Sequence, residues 1–480
     1  MNVADALLAP DAPGHWALVD AVSDDRWSYA ETADRVRRQA GALTKAGVGV
    51  GDRVVLLADN SLDFVAALLA VVWTGATVVP VNTRASREEV ESLVSDAAPV
   101  LVLASEAHAG VVPCEPVDMA AADGPWTPAG VPGTHPFAVF FTSGTTGRPK
   151  GAVVSHASRI AGLLGCAACF EVRRGDRYLS ATPMFTSAGI SLVLLHVLMQ
   201  GTVVVQPGRF DAPAALDAVE DHRIDRAYFV PTMSRMVLDV PGAVERLRAS
   251  ALRSLVNTGA GLDPRLASDL TDAGVAVADL YGSTESGAVA FTTAGDIARG
   301  VMAGRAFPGM TYRVVDAEGF DVPVGETGEI VCRGATLFDG YLDNPAAIEA
   351  RYRHGWFVVG DLGTVDEAGR LRLMGRADDV IVSGGFNIDP FEVEKALLSC
   401  PSVGAAAVVG VPDEFWGEVV AAAVVPAPGC QLTVAEVGAA ARERLAGYKR
   451  PRRIEVWESL PLSAAGKLLR REVAGRMALS

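Results

Sequence analysis

The chain has 480 residues, of which half are hydrophobic and 21% are charged, a composition typical of a globular protein with more than one domain. Its formal net charge is −15 and its isoelectric point is near 5.0, which argues against a nucleic-acid-binding protein. Anionic ligands are not excluded, because a local cluster of positive groups can oppose the overall charge.

The N-terminal residues lack the basic and apolar segments of a signal peptide. Residues 64–81 are uncharged and are the one stretch that resembles a membrane span. Gly75 and Pro80 interrupt this stretch, and an Asn-Ser pair before it can cap a helix. We therefore expect a buried helix that ends near Thr74, then a strand at 77–81, and no membrane span.

Six cysteines are scattered along the chain, apart from the C-x-x-C pair Cys166 and Cys169. This pair lies in an apolar helical pattern and has no second pair to complete a metal site. Buried thiols are therefore expected rather than metal or redox chemistry, which fits a reducing cytoplasm.

Residues 1–375 alternate helical patterns with short apolar strands such as "DRVVLLADN", "TVVPVN", "PVLVLAS", "HPFAVFFTSG", "TVVVQPG" and "RAYFVP". Strands that alternate with helices predict a layered, mostly parallel α/β domain. The later segment "TYRVVDAEGFDVPVGETGEIVCRG" is rich in β-branched residues and turn residues. It predicts an additional β-rich part.

Residues 376–480 predict a small α+β domain. Asp389 and Pro390 stand where an N-cap and a first helical residue are favoured, directly before "FEVEKALLSC". Two apolar strands, a further helix and a basic tail follow.

The segment "FFTSGTTGRPKGAVVSH" combines glycines, hydroxyl groups and Lys150 after an apolar strand. Glycines let backbone N–H groups approach an anion, and the hydroxyls and the lysine add further donors. The spacing is not that of a Walker A loop. From composition alone the segment is either a phosphate-binding loop or a polar surface turn.

Five motifs in fixed order extend over nearly the whole chain: T-S-G-T-T-G-x-P-K-G, Y-G-S-T-E, G-W-F-x-x-G-D, G-R-x-D-D and a near-terminal G-K. This order resembles the adenylate-forming enzymes, which include acyl- and aryl-CoA synthetases. The resemblance implies a large N-terminal domain of layered α/β subdomains and a small, mobile C-terminal lid. It also implies ATP, Mg²⁺ and CoA as cofactor and substrates, and a carboxylic acid as the molecule that is activated.

The resemblance assigns roles to residues in each motif. Tyr281 would stack on adenine, Thr284 would meet the α-phosphate, and Glu285 would help to hold Mg²⁺, for which a carboxylate is a suitable ligand. Asp361 would bind the ribose hydroxyls, and Arg376 would reach the ribose or a phosphate. The remaining nucleotide-binding residues implied by the resemblance are Thr142, Ser143, Gly144, Thr145, Thr146, Gly147, Lys150, Gly259, Ala260, Gly261, Asp279, Gly282 and Ser283.

Lys467, in "SAAGKLLRRE", matches the family's catalytic lysine, which acts on the carboxylate and the α-phosphate during adenylation. Asp378 matches the hinge residue between the two domains. A carboxylate that attacks a phosphate is an anion meeting an anion, so fixed positive groups must neutralise the developing charge.

The C-terminal segment "DDVIVSGGFNIDPFEVE" most resembles CoA ligases that act on acyl or aryl acids. Gly384 and Gly385 would line a narrow thiol channel, and Trp416, Tyr448, Arg450 and Arg452 would contact CoA. The alternative interpretation of the basic cluster around Tyr448 is a solvated surface patch that binds no ligand. The alternatives are a free-standing adenylation enzyme that loads a carrier protein, a luciferase-like oxygenase, and an inactive acyl-binding relative.

The acid-binding pocket is the least specified part of the sequence. Thr186 replaces the histidine that many relatives carry after an aromatic residue, and it cannot hold a substrate ammonium group as an aspartate would. The expected pocket is apolar with a few hydroxyls, formed by Phe185, Thr186, Ser187, Tyr228, Phe229, Thr232, Gly259, Gly282 and Ala288. We expect an aromatic or medium-chain acid and a monomer or homodimer, whereas His196 is expected to be a core residue.

Overall fold

The computed structural model describes residues 2–4, 13–118, 127–142, 149–259, 261–262, 264–299, 301, 304–384, 386–462 and 468–479. The chain divides into two compact units, one of Met1–Tyr312 with Cys332–Phe357 and one of Arg313–Val331 with Val358–Ser480. A large N-terminal and a smaller C-terminal part, both mixing helices and strands, confirm the expected fold class. The functional domain boundary at residue 375 is not tested by this division and stays a prediction.

The strands in chain order are β1 Trp16–Asp20, β2 Arg26–Ser28, β3 Arg53–Leu57, β4 Thr77–Pro80, β5 Leu101–Ala104, β6 Glu115–Pro116, β7 Pro136–Thr142, β8 Lys150–Ser155, β9 Arg177–Ser180, β10 Thr202–Val205, β11 Arg226–Phe229, β12 Ser254–Thr258, β13 Ala276–Ser283, β14 Gly287–Thr292, β15 Arg305–Ala306, β16 Met310–Val315, β17 Gly328–Gly334, β18 Gly340–Tyr341, β19 Tyr352–Arg353, β20 Trp356–Val365, β21 Leu371–Arg376, β22 Ile381–Ser383, β23 Phe386–Ile388, β24 Val403–Asp413, β25 Gly417–Pro426 and β26 Arg453–Val456.

The helices are α1 Tyr29–Lys45, α2 Leu62–Trp73, α3 Arg87–Ala97, α4 His156–Cys169, α5 Ser187–Leu198, α6 Ala212–Asp221, α7 Pro231–Leu238, α8 Ala243–Ala249, α9 Pro264–Asp272, α10 Ala294–Ala298, α11 Pro345–Glu349, α12 Pro390–Leu398, α13 Val434–Arg444 and α14 Arg470–Leu479. Short 3-10 helices occur at Glu106–His108, Ala377–Asp379 and Gly447–Lys449.

Two sheets form the framework of the first unit. The larger has nine strands in the order β15-β14-β13-β12-β11-β9-β10-β1-β2, and its six central strands are parallel. The other has seven strands in the order β18-β8-β7-β4-β3-β5-β6, with β7, β4, β3, β5 and β6 parallel. The predicted alternation of helices with parallel strands is therefore confirmed in both sheets.

In the second unit β23, β22, β25 and β24 form an antiparallel sheet, and β26 adds to β25 in parallel. Asp389 is the N-cap of α12 and accepts from the Phe391 N–H, and Pro390 is the first helical residue, as predicted. The β-rich segment contributes β16 and β17 to a further five-stranded sheet with β19, β20 and β21.

The uncharged stretch forms α2, a turn and β4. The Ser61 side chain accepts from the Phe64 N–H and caps α2, which ends with Thr74 as its C-cap. Almost every residue of α2 is buried, which explains why the helix lacks a polar face. None of the helices in the described part of the chain is long and apolar enough to cross a membrane.

A buried ion pair joins two central strands of the nine-stranded sheet. Arg226, at the start of β11, is in short contact with Asp176, which directly precedes β9; their side chains are 7% and 5% exposed. Arg226 also donates to the carbonyl groups of Phe170 and Glu171. Burial alone would raise the pKa of Asp176, but the Arg173 N–H, Arg226 and Arg253 together lower it.

We predict that Arg226→Met destabilises the first unit by about 3–5 kcal/mol at pH 7, because the buried Asp176 carboxylate loses its partner. Arg253→Met is the matched control: Arg253 contacts the same carboxylate but is half exposed, so its loss should cost about 1 kcal/mol or less. The measurement is urea unfolding followed by tryptophan fluorescence. Because the folded-state pKa of Asp176 is lowered, its contribution is present above the pKa of a free carboxyl, and the Arg226→Met penalty should shrink as the pH falls below that value. Equal penalties for the two variants would contradict this account.

Candidate active site

The end of β7 and the turn between β13 and β14 meet within the first unit. The Thr142 hydroxyl at the end of β7 donates to Glu285 Oε1 at 2.8 Å, although the two residues are 143 positions apart. The Tyr341 hydroxyl approaches the same oxygen at 3.4 Å. Lys150, at the start of β8, places its ammonium 5.4 Å from the centre of the Tyr341 ring. Residues of two predicted motifs thus surround one carboxylate.

Several predicted site residues lie outside the described residues, so the structure gives no position for them. They are Ser143, Gly144, Thr145, Thr146, Gly147, Ala260, Gly385 and Lys467.

Close backbone packing shapes the Y-G-S-T-E turn. A Cβ on Gly282 would lie 2.0 Å from the Gly287 carbonyl oxygen, so no side chain fits there. Gly287 has φ +61, and a Cβ on it would lie 2.3 Å from the Thr336 carbonyl oxygen. Ser283 and Ser286 hydrogen-bond to each other within the turn, where Thr284 is half-buried. These contacts hold the backbone of the turn that carries Glu285.

The segment 336–341 braces this turn and was missed by sequence analysis. The Thr336 hydroxyl contacts the carbonyl groups of Ser286 and Ala288, both at 3.1 Å, and the Phe338 N–H donates to the Glu285 carbonyl at 2.9 Å. The signal that could have found it is the "FDGY" sequence, in which an aspartate and a glycine separate two aromatic residues.

A buried amide and a carboxyl group lie side by side on β12 and β13. Asn257 Nδ2 donates to Asp279 Oδ1 at 2.6 Å, and the two residues are directly paired in register. Desolvation raises the pKa of Asp279 to about 6, against the opposing effects of the Asn257 amide and the Leu280 N–H. A neutral amide leaves the carboxylate able to accept another donor.

The neighbouring predicted residues are accessible. Tyr281 is half-buried on β13. Gly259 has φ +84, which disfavours a side chain there, and a Cβ on Gly261 would meet nothing within 4 Å. The described backbone after β12 is therefore open at Gly261 and favours glycine at position 259.

The predicted ribose and hinge residues belong to the second unit. Asp361 and Arg376 pair in register between β20 and β21, and their side chains form an ion pair with 3.0 Å between Nη1 and Oδ1. Asp361 is buried, whereas Arg376 remains half exposed. Asp378 lies in the 3-10 helix Ala377–Asp379, directly after Arg376.

Two aromatic contacts lie among the predicted CoA-binding residues. Gly384 has φ +57, and a Cβ on it would lie 2.6 Å from the Trp416 ring. The exposed Arg452 places its guanidinium 4.3 Å from the centre of that ring. Tyr448 stacks on Phe386 with 4.6 Å between ring centres.

Arg450 differs from the other predicted CoA contacts. Its Nε donates to the Leu445 carbonyl at 2.9 Å and its Nη2 to the Arg442 carbonyl at 3.1 Å. These bonds satisfy carbonyl groups at the C-terminal end of α13. The structure therefore gives Arg450 a helix-capping role, and CoA would have to compete for it.

Three predicted pocket residues lie at the N-terminal end of α5. Thr186 is the N-cap: its hydroxyl accepts from the Gly189 N–H at 3.0 Å and donates to the Pro183 carbonyl at 2.8 Å. The Ser187 hydroxyl accepts from Arg159. Phe185 is half-buried beside them, as are Thr232 on α7 and Ala288 on β14.

Tyr228 and Phe229 are neighbours on β11 and point to opposite faces of the sheet. Tyr228 packs with Tyr178, His196 and Phe170. Phe229 instead belongs to a core cluster with the buried residues of α6, α7 and α9. The two side chains cannot line one pocket, and we leave Phe229 out of the proposed site.

The expectation of a core residue is confirmed for His196, and the expectation of buried thiols is confirmed for Cys166 but not for Cys169, which is half-buried. His196 is fully buried and stacks on Tyr178 with 4.3 Å between ring centres, and its burial lowers its pKa to about 4. Cys166 is buried on α4, where burial raises the pKa of its thiol.

No group of three or more potential metal ligands occurs within the described ranges. The Glu285 carboxylate and the Thr142 hydroxyl nevertheless supply two oxygen donors at one point. A sparse oxygen set of this kind fits Mg²⁺, which retains several waters when bound.

Comparison with known proteins agrees with these motifs. A family described as AMP-binding enzyme matches residues 8–342, and its C-terminal domain matches residues 392–467. Feruloyl-CoA synthase of an Amycolatopsis species is 36% identical over 465 residues, 94% of each chain. Indoleacetate–CoA ligase of Aromatoleum aromaticum is 34% identical, covering 93% of this chain and 92% of the relative. The solved structure of ATP-bound MatB from Rhodopseudomonas palustris matches with a TM-score of 0.91 at 28% identity over 99% of both chains.

The order of the motifs, the convergence on Glu285 and these similarities over nearly full length lead to one conclusion. The chain belongs to the family of AMP-binding, adenylate-forming enzymes, and within it to the AMP-forming acid–thiol ligases.

Proposed function

We propose that this enzyme converts an aromatic carboxylic acid into its CoA thioester by way of an acyl-adenylate. The observation that carries the proposal is the contact of Thr142, Tyr341 and Glu285, with Lys150 beside them. An aromatic acid is supported by the two relatives above, whose names specify feruloyl and indoleacetate substrates. The buried Tyr228 packs with Phe170 and Tyr178, and we propose that the ring of the acid extends toward this aromatic cluster.

The first step joins two anions, and charge stabilisation is its main requirement. Lys150 and Lys467 would supply positive charge at the phosphates and at the attacking carboxylate. Glu285 and Thr142 would hold Mg²⁺, which would screen the charge of the leaving pyrophosphate. Ser143, Gly144, Thr145, Thr146 and Gly147 would supply N–H and hydroxyl donors between β7 and β8.

The nucleoside would be recognised by carboxylate and aromatic side chains on the predicted motifs. Asp279 would accept from the adenine amino group, and Tyr281 would stack on the ring beside Gly259, Ala260 and Gly261. Asp361 would accept from the ribose hydroxyls, with Arg376 adjacent. Gly282 and Ser283 would line the phosphate side.

The second step transfers the acyl group to the thiol of CoA. We propose that residues 376–480 form a lid that rotates about Asp378 between the two steps. Gly384, Gly385, Trp416, Tyr448 and Arg452 would bind CoA.

All six cysteines are free thiols, which supports a cytoplasmic enzyme. We expect a monomer or a homodimer.

The function is tested by measuring AMP release with ATP, Mg²⁺ and CoA across aromatic, short, medium-chain and long-chain acids. We expect turnover that needs both an acid and CoA, with the highest kcat/KM for aromatic acids. Acid-dependent ATP–pyrophosphate exchange without any effect of CoA would favour a carrier-loading enzyme. No exchange with any acid would refute adenylation itself.

We predict that Lys467→Ala slows acid-dependent ATP–pyrophosphate exchange by about 10²–10³, comparable with the loss of one preorganised charge-stabilising donor. The reaction of separately prepared acyl-adenylate with CoA should be affected much less. Lys395→Ala, an exposed lysine on α12, is the control and should change neither rate. Equal losses in both half-reactions would contradict the assignment.

We predict that ATP binding weakens as the pH falls through about 6, the raised pKa of Asp279. A donor from adenine favours the ionised carboxylate, so protonation removes this acceptor and should raise KM for ATP by about tenfold between pH 7.5 and pH 5. Asp279→Asn should abolish this part of the pH dependence of KM for ATP. Since ATP itself titrates in both proteins, the difference between their profiles isolates Asp279. Parallel profiles would remove it from the nucleotide site.

We predict that Tyr228→Phe selectively impairs acids that carry a ring hydroxyl. The Tyr228 hydroxyl is buried and has no hydrogen-bond partner within the described residues, so a polar substituent would satisfy it. We expect kcat/KM for hydroxylated acids to fall about tenfold relative to the same acids without hydroxyl. Phe229→Leu, on the opposite sheet face, should leave this ratio unchanged. An unchanged ratio in Tyr228→Phe would exclude the contact.

A further inference from the structure

The described residues on either side of Lys467, 461–462 and 468–469, are hydrogen-bonded to each other within the second unit; we call them the base of the lysine segment. Leu462 and Leu468 make an isolated antiparallel bridge, and the Leu469 N–H donates to the Pro461 carbonyl at 3.0 Å. Lys467 itself lies outside the described residues, but it directly precedes Leu468 in the sequence. The contacts of residues 468–470 therefore fix the part of the chain to which the lysine is covalently joined.

Arg470, three positions after Lys467, is the most heavily anchored side chain of this region. It is the first residue of α14, and its side chain is only 12% exposed. Its Nη2 contacts Glu394 Oε2 at 2.9 Å while its Nη1 contacts the other carboxylate oxygen, and Nη1 also donates to the Val408 carbonyl at 2.8 Å. The planar guanidinium can make this two-point contact in only one orientation.

Arg470 also reaches the segment that contains the proposed hinge. Its Nε lies 3.3 Å from Asp379 Oδ2, and Asp379 is the last residue of the 3-10 helix Ala377–Asp379. The same guanidinium lies 4.7 Å from the centre of the Phe391 ring. One side chain thus joins the base of the lysine segment to α12, to β24 and to the residue next to Asp378.

These contacts are more than α14 needs for attachment. Val473 and Met477 of α14 are fully buried in an apolar cluster with Ala407, Val409 and Ala421. That apolar face attaches the helix to the sheet at positions separate from Arg470. Arg470 adds a directional constraint at the one end of α14 that continues into Lys467.

The ion pair between Arg470 and Glu394 resists displacement of the Arg470 side chain. Burial raises the pKa of Glu394, and the contact with Arg470 opposes that shift. The Val408 N–H also donates to Glu394 Oε1 at 2.8 Å. A buried carboxylate with this partner set keeps its guanidinium in place, because separation would leave charge in an apolar surrounding.

We propose that Arg470 is a positioning residue for Lys467: through Glu394 and Asp379 it fixes the base of the lysine segment in register with the hinge segment. The proposal rests on the proposed role of Lys467 in adenylation. It implies that adenylation depends on Arg470 although the guanidinium itself makes no contact with substrate. Thioester formation, which does not use the lysine, should depend on it little.

The test measures both half-reactions in Arg470→Met, Arg470→Lys and Asp379→Asn. We expect Arg470→Met to slow ATP–pyrophosphate exchange about 10- to 100-fold, the cost of a displacement of about 1 Å in a catalytic group. The reaction of prepared acyl-adenylate with CoA should change less than about threefold. Arg470→Lys should rescue little, because an ammonium cannot make the two-point contact. Asp379→Asn should show a smaller loss in the same direction, which keeps the test available if Arg470→Met does not fold.

A double-mutant cycle with Lys467→Ala separates positioning from general stability. If Arg470 acts through the lysine, adding Arg470→Met to Lys467→Ala should slow exchange no further. Additive losses, or equal losses in the two half-reactions, would overturn the proposal. If instead Lys467→Ala leaves exchange unchanged, the assignment of the lysine fails and this proposal with it. If Lys467→Ala slows exchange but Arg470→Met and Asp379→Asn exchange at the normal rate, the role of the lysine stands and only the positioning role of Arg470 is refuted.

Discussion

The hydrogen bond between Thr142 and Glu285 is the constraint on which the candidate site depends, because it joins the two sheets of the first unit at one point. Thr142 ends β7 of the seven-stranded sheet, and Glu285 lies in the turn that follows β13 of the nine-stranded sheet. The turn can place the carboxylate beside Thr142 only because Gly282 and Gly287 have no side chains, which would clash with neighbouring carbonyl oxygens. Backbone packing of the turn therefore makes this side-chain contact possible.

The buried charges of the first unit fall into two groups with different meanings. Asp176 has arginines for partners and is a structural ion pair. Asp279 has a neutral amide instead; burial raises its pKa and the Asn257 amide only partly opposes that shift, so a ligand that donates a hydrogen bond can still stabilise its charged form. A carboxylate with a compensating cation is already satisfied, whereas one beside an amide retains capacity for a ligand. This contrast supports a binding role for Asp279 over a packing role.

Local sequence rules were sufficient for most of the fold. Ser61 and Asp389 cap helices where hydroxyl and carboxyl groups precede apolar periodic segments, and the strands around Val55, Val79 and Val204 follow from short apolar runs. Residues of the candidate site could be predicted only where they belong to a sequence motif. Tyr341 was missed because its proximity to Glu285 arises from the pairing of β18 with β8, which no local pattern specifies. Phe229 was misjudged because strand alternation was not applied beside Tyr228, and the capping role of Arg450 depends on a helix end whose position the sequence does not fix.

The ion pairs of the second unit also explain why a hinge would act at Asp378 and not elsewhere in its segment. Arg376, two positions before it, is held by Asp361, and Asp379, directly after it, is held by Arg470. A large change in φ or ψ beyond these two residues would break an ion pair, whereas a change at Ala377 or Asp378 would not. If Asp378 is the hinge, these two ion pairs would confine the rotation to Ala377 and Asp378, which is how a hinge absorbs a large angular change over a short length. The Arg470 guanidinium, which contacts Asp379, would then keep the start of α14 with the residues that follow the hinge.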